Sequence, residues 1–560
     1  MRRILWGRKK RRTAEIHPDE ILIDSKNLAH FDTDRLEGRI ERPLSRRSFL
    51  FVGGILTFLF LGFLARASDL QLIQGEAYAT QARENQLAET TIFADRGLIV
   101  DRTGTPLAWN EKDSPEDDFA QRIYATQGGI AHVVGYVKPP AKDSSGIYFQ
   151  ETYLGVDGVE KVFDAVLAGQ NGIELTETDA RGKVVSKARV REPLAGEKLA
   201  LSIDADVSSG FFGAVAQRAE ESRFQGGAGV LMDIQTGEII ALVNYPEFSP
   251  TALTSGDPAI IQALLSDPRQ PFLNRATAGL YAPGSIVKPF VAVGALTEGV
   301  IDESTEILST GSISIPNPYF PDKPSVFKDW KAHGWVDMRH AIAVSSDVYF
   351  YEVGGGFQNQ RGLGIAGLDK YFKLFGFATL PGLLGFSQEE GLIPTPAWKE
   401  EVFDGDPWRI GDTYNTAIGQ YGVQVTPLQA VRAIAAVANG GILVTPTLLA
   451  SSTAATAALP IDPHTFAVVR EGMRLGVEGG TAAAVSVLFV KMAAKTGTAQ
   501  VGTRNQFMNS WIIGFFPYEA PRYAFALVLE RAPAGTLTGA PAAMRTFLDW
   551  LNANAPEYFQ

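Results

Sequence analysis

The sequence predicts an α+β protein on a single membrane helix. A β-rich segment comes first. A larger body follows, in which both chain ends supply one antiparallel sheet and helices pack on its faces. Three observations point there. One uncharged run near the start is long enough to cross a bilayer. Strand-like runs cluster near residues 228–244 and again near 489–530. The stretch between them, roughly 286–485, has mostly helical periodicity. At 560 residues the chain is too long for one core, so two or three folded parts are expected.

The membrane helix comes first. Phe49 to Ala65, FLFVGGILTFLFLGFLA, carries no charge over 17 residues. As a helix it spans about 26 Å, slightly short of a hydrocarbon core of roughly 30 Å. Ser48 and the stem of Arg66 extend it by snorkelling, which gives an expected span of 48–66. A buried core helix is the competing reading, and the length of the run together with its lack of a polar face favours a membrane span. It begins too late and runs too long for a cleaved signal peptide. MRRILWGRKKRR and Arg46-Arg47 precede it, and the nearly neutral ASDLQLIQGEAY follows. The positive-inside rule then places residues 1–47 in the cytoplasm and everything past about residue 67 outside it. Residues 13–44 are polar and charge-mixed, and flexibility is expected there.

Composition excludes several classes. The net charge is −11, and residues 1–47 hold 13 Lys/Arg against 8 Asp/Glu. That tail is therefore +5, and the rest carries −16. An acidic body argues against nucleic-acid binding, and no helix-turn-helix or RNA-binding motif is present. The chain has no cysteine, so disulfides, thiolate metal sites and cysteine catalysis are excluded. Its six histidines are scattered, with no HExxH, and a zinc enzyme is not expected.

From 67 to about 197, short β-like runs are broken by glycines. TTIFADRGLIVDRTGTPLAWN alternates and turns at Thr103-Gly104, which predicts a hairpin. The acidic stretch 110–120 reads as a loop. Gly158 to Gly172 reads as one short helix closed by glycine. A second body starts near 198. KLALSID is strand-like, and Asp204 to Ser222 has helical periodicity. AGVLMDI and EIIALVN form a hairpin across Gln235-Thr236-Gly237. FVKMAAKTGT, SWIIGFF and YAFALVLE supply three late strands, and a helix near 538–553 closes the chain.

The chemistry-bearing residues lie in this second body. Ser285 and Lys288 are separated by three, just after Pro283-Gly284, so on a helix they share a face. Ser285 then sits at a helix N-terminus, where free N–H groups favour developing negative charge. A serine hydroxyl needs a neighbouring base, and a lysine serves if burial or a nearby cation lowers its pKa. Lys495 would supply such a cation. SxxK alone is weak, because about two matches per chain of this size arise by chance. The other match, Ser325-Val-Phe-Lys328, follows Pro324 in a Pro/Lys/Asp-rich stretch and reads as surface. Ser345-Ser346-Asp347 is an SxD tripeptide in an apolar helical frame. Lys495-Thr496-Gly497-Thr498 is the one KTG in the chain and falls on a strand. Gly497 there admits the close approach of another backbone or a ligand. A lone KTG would read as an edge strand with a gatekeeper lysine. The ordered trio SxxK, SxD, KTGT is the set found in penicillin-binding proteins and serine β-lactamases.

With these motifs the chain resembles a class B penicillin-binding protein, of the penicillin-binding protein 2 type that cross-links peptidoglycan in elongation. RGLIVDRTGTPLAWN, YLGVDGVEKVFDAVLAGQNG and DARGKVV look like that family's pedestal signatures. MDIQTGEIIALVNYPEFSP and NRATAGLYAPGSIVKPF look like the entry to its catalytic domain. AIAVSSDVYFYEVG, GLIPTPAWKEEVF and GDTYNTAIGQYGVQVTPLQ look like the elongation subtype. The resemblance implies a five-stranded antiparallel sheet flanked by helices, with a helical subdomain. It also implies a division into a cytoplasmic tail (1–47), a membrane helix (48–66), a pedestal with a reduced head (67–197) and a transpeptidase domain (198–560).

The resemblance further implies residue roles. Ser285 is the acylated nucleophile and Lys288 takes its proton. Ser345 relays a proton, and Asp347 orients Lys288 and the substrate amide. Lys495 sets the local field. Thr496 and Thr498 bind the donor's terminal carboxylate beside Gly497, and the N–H groups of Ser285 and Thr498 form an oxyanion hole. The implied donor is a stem peptide ending in D-Ala-D-Ala, handled without a metal or organic cofactor. β-Lactams would acylate Ser285. Implied partners are a SEDS-family glycosyltransferase and elongation scaffold proteins at a bacterial inner membrane, with the catalytic part periplasmic. The chain departs from the family in three places. The stretch from Asn110 to His132 is too short for the usual head lobe, IGQYG replaces IGQGY, and Asp347 stands where many relatives have asparagine. A division-type transpeptidase, a β-lactam hydrolase or sensor, and a non-enzymatic scaffold are the competing readings. The trio is intact, no adjacent glutamate supports deacylation, and 47 cytoplasmic residues are few for a sensor's effector.

Overall fold

The computed structural model describes residues 45–84, 87–178, 184–317, 320 and 322–560. The expectations for residues 1–44, and the DARGK part of the DARGKVV signature, lie outside these. The chain divides into two units, one around the first helices and one holding the rest of the described chain from Glu89 onward. In the first unit, helix α1 runs Arg46–Ser68, a little longer at each end than the expected 48–66. Its 23 residues span about 35 Å. Ser45 caps it by accepting from the Ser48 N–H, and none of its residues is buried.

The β-rich region contains two sheets. β1 (Leu87–Ile92) starts the three-stranded one. β2 (Ile99–Val100), β3 (Pro106–Glu111) and β4 (Gln121–Tyr124) belong to the four-stranded one. The β2–β3 turn is the hairpin that the sequence predicts. Asp101 Oδ1 accepts from Thr103 N–H, Thr103 Oγ1 and Thr105 N–H, and closes it. β3 and β4 are joined by the short acidic loop 112–120, so a plain hairpin occupies this stretch. The helix expected over 158–172 is two short pieces, Gly158–Val162 and Asp164–Leu167. Phe163, at φ −110° and ψ 25°, leaves the helical region between them. β5 (Gly172–Thr178) and β6 (Val184–Arg191) complete the first sheet. β7 (Leu199–Ala200) pairs parallel with β2, so the strand expected to open the second body joins the earlier sheet instead.

A buried charge cluster holds this region together. The Glu160 carboxylate, fully buried, accepts from Arg96 Nε at 2.5 Å and Arg122 Nε at 2.7 Å. Arg96 also reaches Asp164 at 2.7 Å. Two guanidiniums on buried carboxylate geometry offset a desolvation cost that neither could offset alone. Gly97, beside Arg96, has room for no side chain, since a Cβ there would stand 2.0 Å from the Glu197 carbonyl oxygen.

The larger body is the predicted sheet. Helix α2 (Ala205–Glu221), capped by Asp204, precedes β8 (Gly226–Asp233) and β9 (Ile239–Tyr245). After them come α3 (Lys288–Thr297), α4 (Met338–Val344), α5 (Asp347–Gly355), α6 (Pro427–Ala438) and α7 (Pro463–Gly479), with shorter pieces between. β10 (Ala493–Val501), β11 (Phe507–Phe516) and β12 (Tyr523–Pro533) close the sheet in the order β9-β8-β12-β11-β10, all antiparallel. Helix α8 (Ala540–Asn554) follows. Both sheet faces are buried. Val230, Trp511, Ile513 and Val528 face a core shared with α3 and α6. Leu231, Ile512, Leu527 and Leu529 face another shared with α2 and α8. This is why the strands are apolar at nearly every position rather than alternating.

The β-rich region and the sheet body are joined by specific bonds. Asp101 Oδ2 accepts from the Ala205 N–H at the start of α2 (3.2 Å). Glu247, just after β9, accepts from the Gly129 N–H (2.9 Å) and the Ala131 N–H (3.4 Å). Burial pushes the Glu247 carboxyl up to about 7, against the pull of those two bonds. The folded carboxyl therefore holds its proton more tightly than the unfolded one. Its contribution is undiminished below the ordinary 4.5, is lost as pH rises from there to about 7, and stays lost above. Glu247→Gln keeps an acceptor and cannot ionise. Thermal melting should show it equal to the parent at pH 4 and more stable at pH 8, and equal melting at both pH values would contradict this assignment.

Candidate active site

The serine turn is built by close backbone packing. Gly284–Val287 is one turn of 3₁₀-helix, and the α-helix begins only at Lys288. The sequence suggests a helix start here, and the tighter turn is a common way to begin one. With three residues per turn it also stacks positions 285 and 288. Gly284 takes φ +55°, and its Cβ would stand 2.5 Å from the Thr498 carbonyl oxygen. A Cβ on Gly497 would meet the Pro283 oxygen at 2.6 Å, and one on Gly419 would meet the Gly284 oxygen at 2.2 Å. The turn is thus pressed between β10 and the IGQYG loop through three glycines. It is pinned by Gly284 N–H to the Gly419 oxygen (3.0 Å), and the Trp511 indole donates to the Ala282 oxygen (3.0 Å).

The three motifs converge. Lys288 is fully buried. Its Nζ donates to the Ser345 carbonyl (2.8 Å), Ser345 Oγ (3.3 Å) and Asp347 Oδ1 (2.6 Å). Lys495 Nζ donates to the same Ser345 Oγ at 2.8 Å and to its neighbour Thr496's carbonyl at 2.9 Å. Two lysines from distant segments therefore meet on one hydroxyl. Ser345 can do this because it takes a left-handed conformation, φ 59° and ψ 41°, in the link between α4 and α5. Ser285 borders the cleft and its Oγ has no hydrogen-bond partner among the described residues; Lys288, expected beside it as its base, is engaged with Ser345 and Asp347.

From sequence, the Lys495 cation is expected to act on Lys288; in the structure it is the Lys288 charge that acts on Lys495. Burial first, and the Lys288 charge second, hold Lys495 well below the ordinary lysine range, against an opposing pull from Asp347.

These groups line a cleft of about 1080 Å³. Ser285, Ser345, Asp347, Thr496, Gly497 and Thr498 all border it; along β10 Lys495 and Gly497 are buried while Thr496 and Thr498 are more open, the alternation of a strand. Thr496 Oγ1 donates to Thr481 Oγ1 at 2.9 Å. Residues that the motifs did not single out also border the cleft, among them Asp329, Trp330, Asn415 and Tyr421. Asn415 and Tyr421 fall in a quoted family signature. Asp329 and Trp330 fall in none. The second SxxK is a strand, Ser325–Lys328, in which residues three apart point to opposite faces. Serine and lysine there cannot act together, although Lys328 reaches the cleft rim.

A serine aimed into a cleft from a helix start, with two lysines sharing a second serine behind it, defines a serine acyltransferase. The family model described as penicillin binding protein transpeptidase domain matches residues 227–549, more than half of the chain, and that of the penicillin-binding protein dimerisation domain matches 117–201. The chain belongs to the penicillin-binding protein transpeptidase family. It is a class B member of the penicillin-binding protein 2 type, an elongation-type peptidoglycan D,D-transpeptidase. It is 29% identical to peptidoglycan D,D-transpeptidase MrdA of Escherichia coli K12, with 91% of this chain and 95% of that one covered. The Helicobacter pylori penicillin-binding protein 2 in complex with MreC superposes with a TM-score of 0.70 at 25% identity, covering 84% of this chain and 99% of that one. A chain of a peptidoglycan synthase complex that coordinates polymerisation and cross-linking does so at 0.70 and 26%, covering 90% and 98%.

The backbone stack gives a direct test. Gly497→Ala places a methyl against the Pro283 oxygen and Ile286, and should slow penicillin acylation by about 100-fold while leaving the melting transition cooperative. Acylation at the parent rate would show that the turn does not depend on this contact.

Proposed function

We propose that Ser285 is the nucleophile of this transpeptidase and that Lys288, Ser345, Asp347 and Lys495 form its proton-handling network. The observation that carries this reading is the Ser345 hydroxyl shared by two buried lysines, with the unengaged Ser285 hydroxyl at the cleft beside it. Ser285 Oγ attacks the carbonyl of the penultimate D-Ala of a stem peptide. The Oγ–C bond forms, the C–N bond to the terminal D-Ala breaks, and the serine proton passes through Lys288 and Ser345 to the leaving amine. An acceptor amine from a neighbouring stem then takes the acyl group, and Ser285 regains its proton. The N–H groups of Ser285 and Thr498 stabilise the oxyanion in each half-reaction, and Thr496 and Thr498 hold the donor's carboxylate with Gly497 between them.

Lys495 receives a different role from the purely electrostatic one expected from sequence. Its burial beside Lys288 favours the neutral amine, which makes it a proton acceptor across Ser345. Asp347 in place of asparagine supports this division, because its carboxylate pairs with Lys288 at 2.6 Å and not with Lys495.

We further read the chain as a tail (1–47), a membrane helix (48–66), a pedestal (67–197) and a catalytic domain (198–560), with the catalytic domain on the periplasmic side. Arg46 and Arg47 at one end of α1 support that orientation. The partners are a SEDS-family glycosyltransferase and an elongation scaffold protein, as the two complexes of its relatives suggest.

Fluorescent penicillin should label the full chain covalently, and Ser285→Ala should abolish labelling. Mass spectrometry of the adduct should find it on the peptide containing Ser285, and an adduct elsewhere would refute the assignment. The acylation rate of the parent should rise with pH well below the ordinary lysine value of 10.5, as Lys495 loses its proton. Lys495→Arg, which stays charged, should lose that rise, and an unchanged profile would return Lys495 to a purely electrostatic role.

A further inference from the structure

Asp329 belongs to none of the three motifs, yet its side chain is fully buried at the cleft. A buried carboxylate is costly unless it is compensated, and its one ion-pair neighbour among the described residues, His333 Nε2 at 3.4 Å from Oδ1, is held below the ordinary imidazole range by burial. Hydrogen bonds compensate it instead. Oδ2 accepts from Ser346 Oγ (2.8 Å), the Val348 N–H (3.0 Å) and Ser309 Oγ (3.2 Å), and Oδ1 accepts from the Trp330 N–H (2.8 Å). Burial pushes the carboxyl up. The bonds from Val348, Ser346 and Asp347, with the Lys288 charge, outweigh it and hold the carboxyl below its ordinary range.

The partners of Asp329 are chosen from one place. Ser346 is the cap of α5, and Val348 lies in its first turn, where N–H groups lack helical acceptors. The next residue, Trp330, donates its indole N–H to the carbonyl of Val344, the last residue of α4 (3.2 Å). Segment 329–330 therefore holds both sides of the two-residue link Ser345-Ser346. That link carries the left-handed Ser345, a conformation a serine seldom adopts without outside support. It also launches Asp347 toward Lys288.

We propose that Asp329 is a positioning residue for transpeptidation: by binding Ser346 and the start of α5 it holds Ser345 between the two lysines and Asp347 against Lys288. It acts through these groups and not by contact with the substrate, because its own side chain has no exposed surface. This rests on the reading of Ser285, Ser345 and the lysines given above.

The test separates binding from chemistry. Stopped-flow acylation of the full chain in detergent by a fluorescent penicillin yields the dissociation constant of the encounter complex and the acylation rate constant. Asp329→Ala should lower the rate constant by about 100-fold while the dissociation constant stays within about threefold. Asp329→Asn, which keeps a carbonyl acceptor, should restore part of it, to within about tenfold of the parent. Ser346→Ala should slow acylation as well, and the double variant with Asp329→Ala should fall no further than Asp329→Ala alone. Should the alanine variant fail to melt cooperatively, the asparagine variant carries the measurement. Three results overturn the inference: a parent-like rate constant in a folded variant, a loss confined to the dissociation constant, or a smaller labelled fraction reacting at the parent rate. In each of these the parent still labels at Ser285, so the site assignment survives. A parent chain that forms no adduct removes both.

Discussion

The structure depends on one hydroxyl held by two lysine side chains. Ser345 Oγ receives Lys288 at 3.3 Å and Lys495 at 2.8 Å, from segments separated by more than 200 residues along the chain. Like charges placed so near each other in a buried site repel, and burial penalises both. The protein answers by setting a carboxylate against one lysine and letting burial press the other toward its neutral form. The strain of this arrangement lies in the αL backbone at Ser345, and the surrounding helices α4 and α5 exist on either side of it to carry that cost.

Around this point the fold uses backbone contact where side chains would not fit. Gly419, Gly284 and Gly497 let the IGQYG loop, the serine turn and β10 approach each other to distances that a single methyl would forbid. The result is a serine turn whose position is set by main-chain atoms, which move less than side chains do. The sheet behind is buried on both faces, and its five strands give β10 a fixed height relative to the turn. The cleft is therefore largely preformed, as a preorganised site requires.

The β-rich region shares a continuous apolar core with this body, and a few polar bonds add direction to that contact. Asp101 reaches the start of α2, Glu247 reaches back to Gly129 and Ala131, and β7 lies in the earlier sheet though it directly precedes α2. The Arg96–Glu160–Arg122 cluster makes the region rigid from within. Bonds of this kind are directional, so they specify how the two parts meet.

Much of this was legible in the amino-acid order. Local pattern determined the uncharged span, the hairpin at Gln235-Thr236-Gly237, the three late strands and the positions of Ser285, Lys288, Ser345 and Lys495, because hydrophobic period, turn residues and short motifs act over a few neighbours. The break at Phe163, the pairing of Leu199-Ala200 with Ile99-Val100, and the 3₁₀ form of the serine turn were settled by partners distant in sequence. So was the downward pull on the Lys495 amine, since burial and proximity to Lys288 arise only when β10 and α3 are brought together. Asp329 makes the same point: nothing in KDWK marks it, and its role comes entirely from the helix terminus and the Ser346 hydroxyl that the folded chain places within its reach.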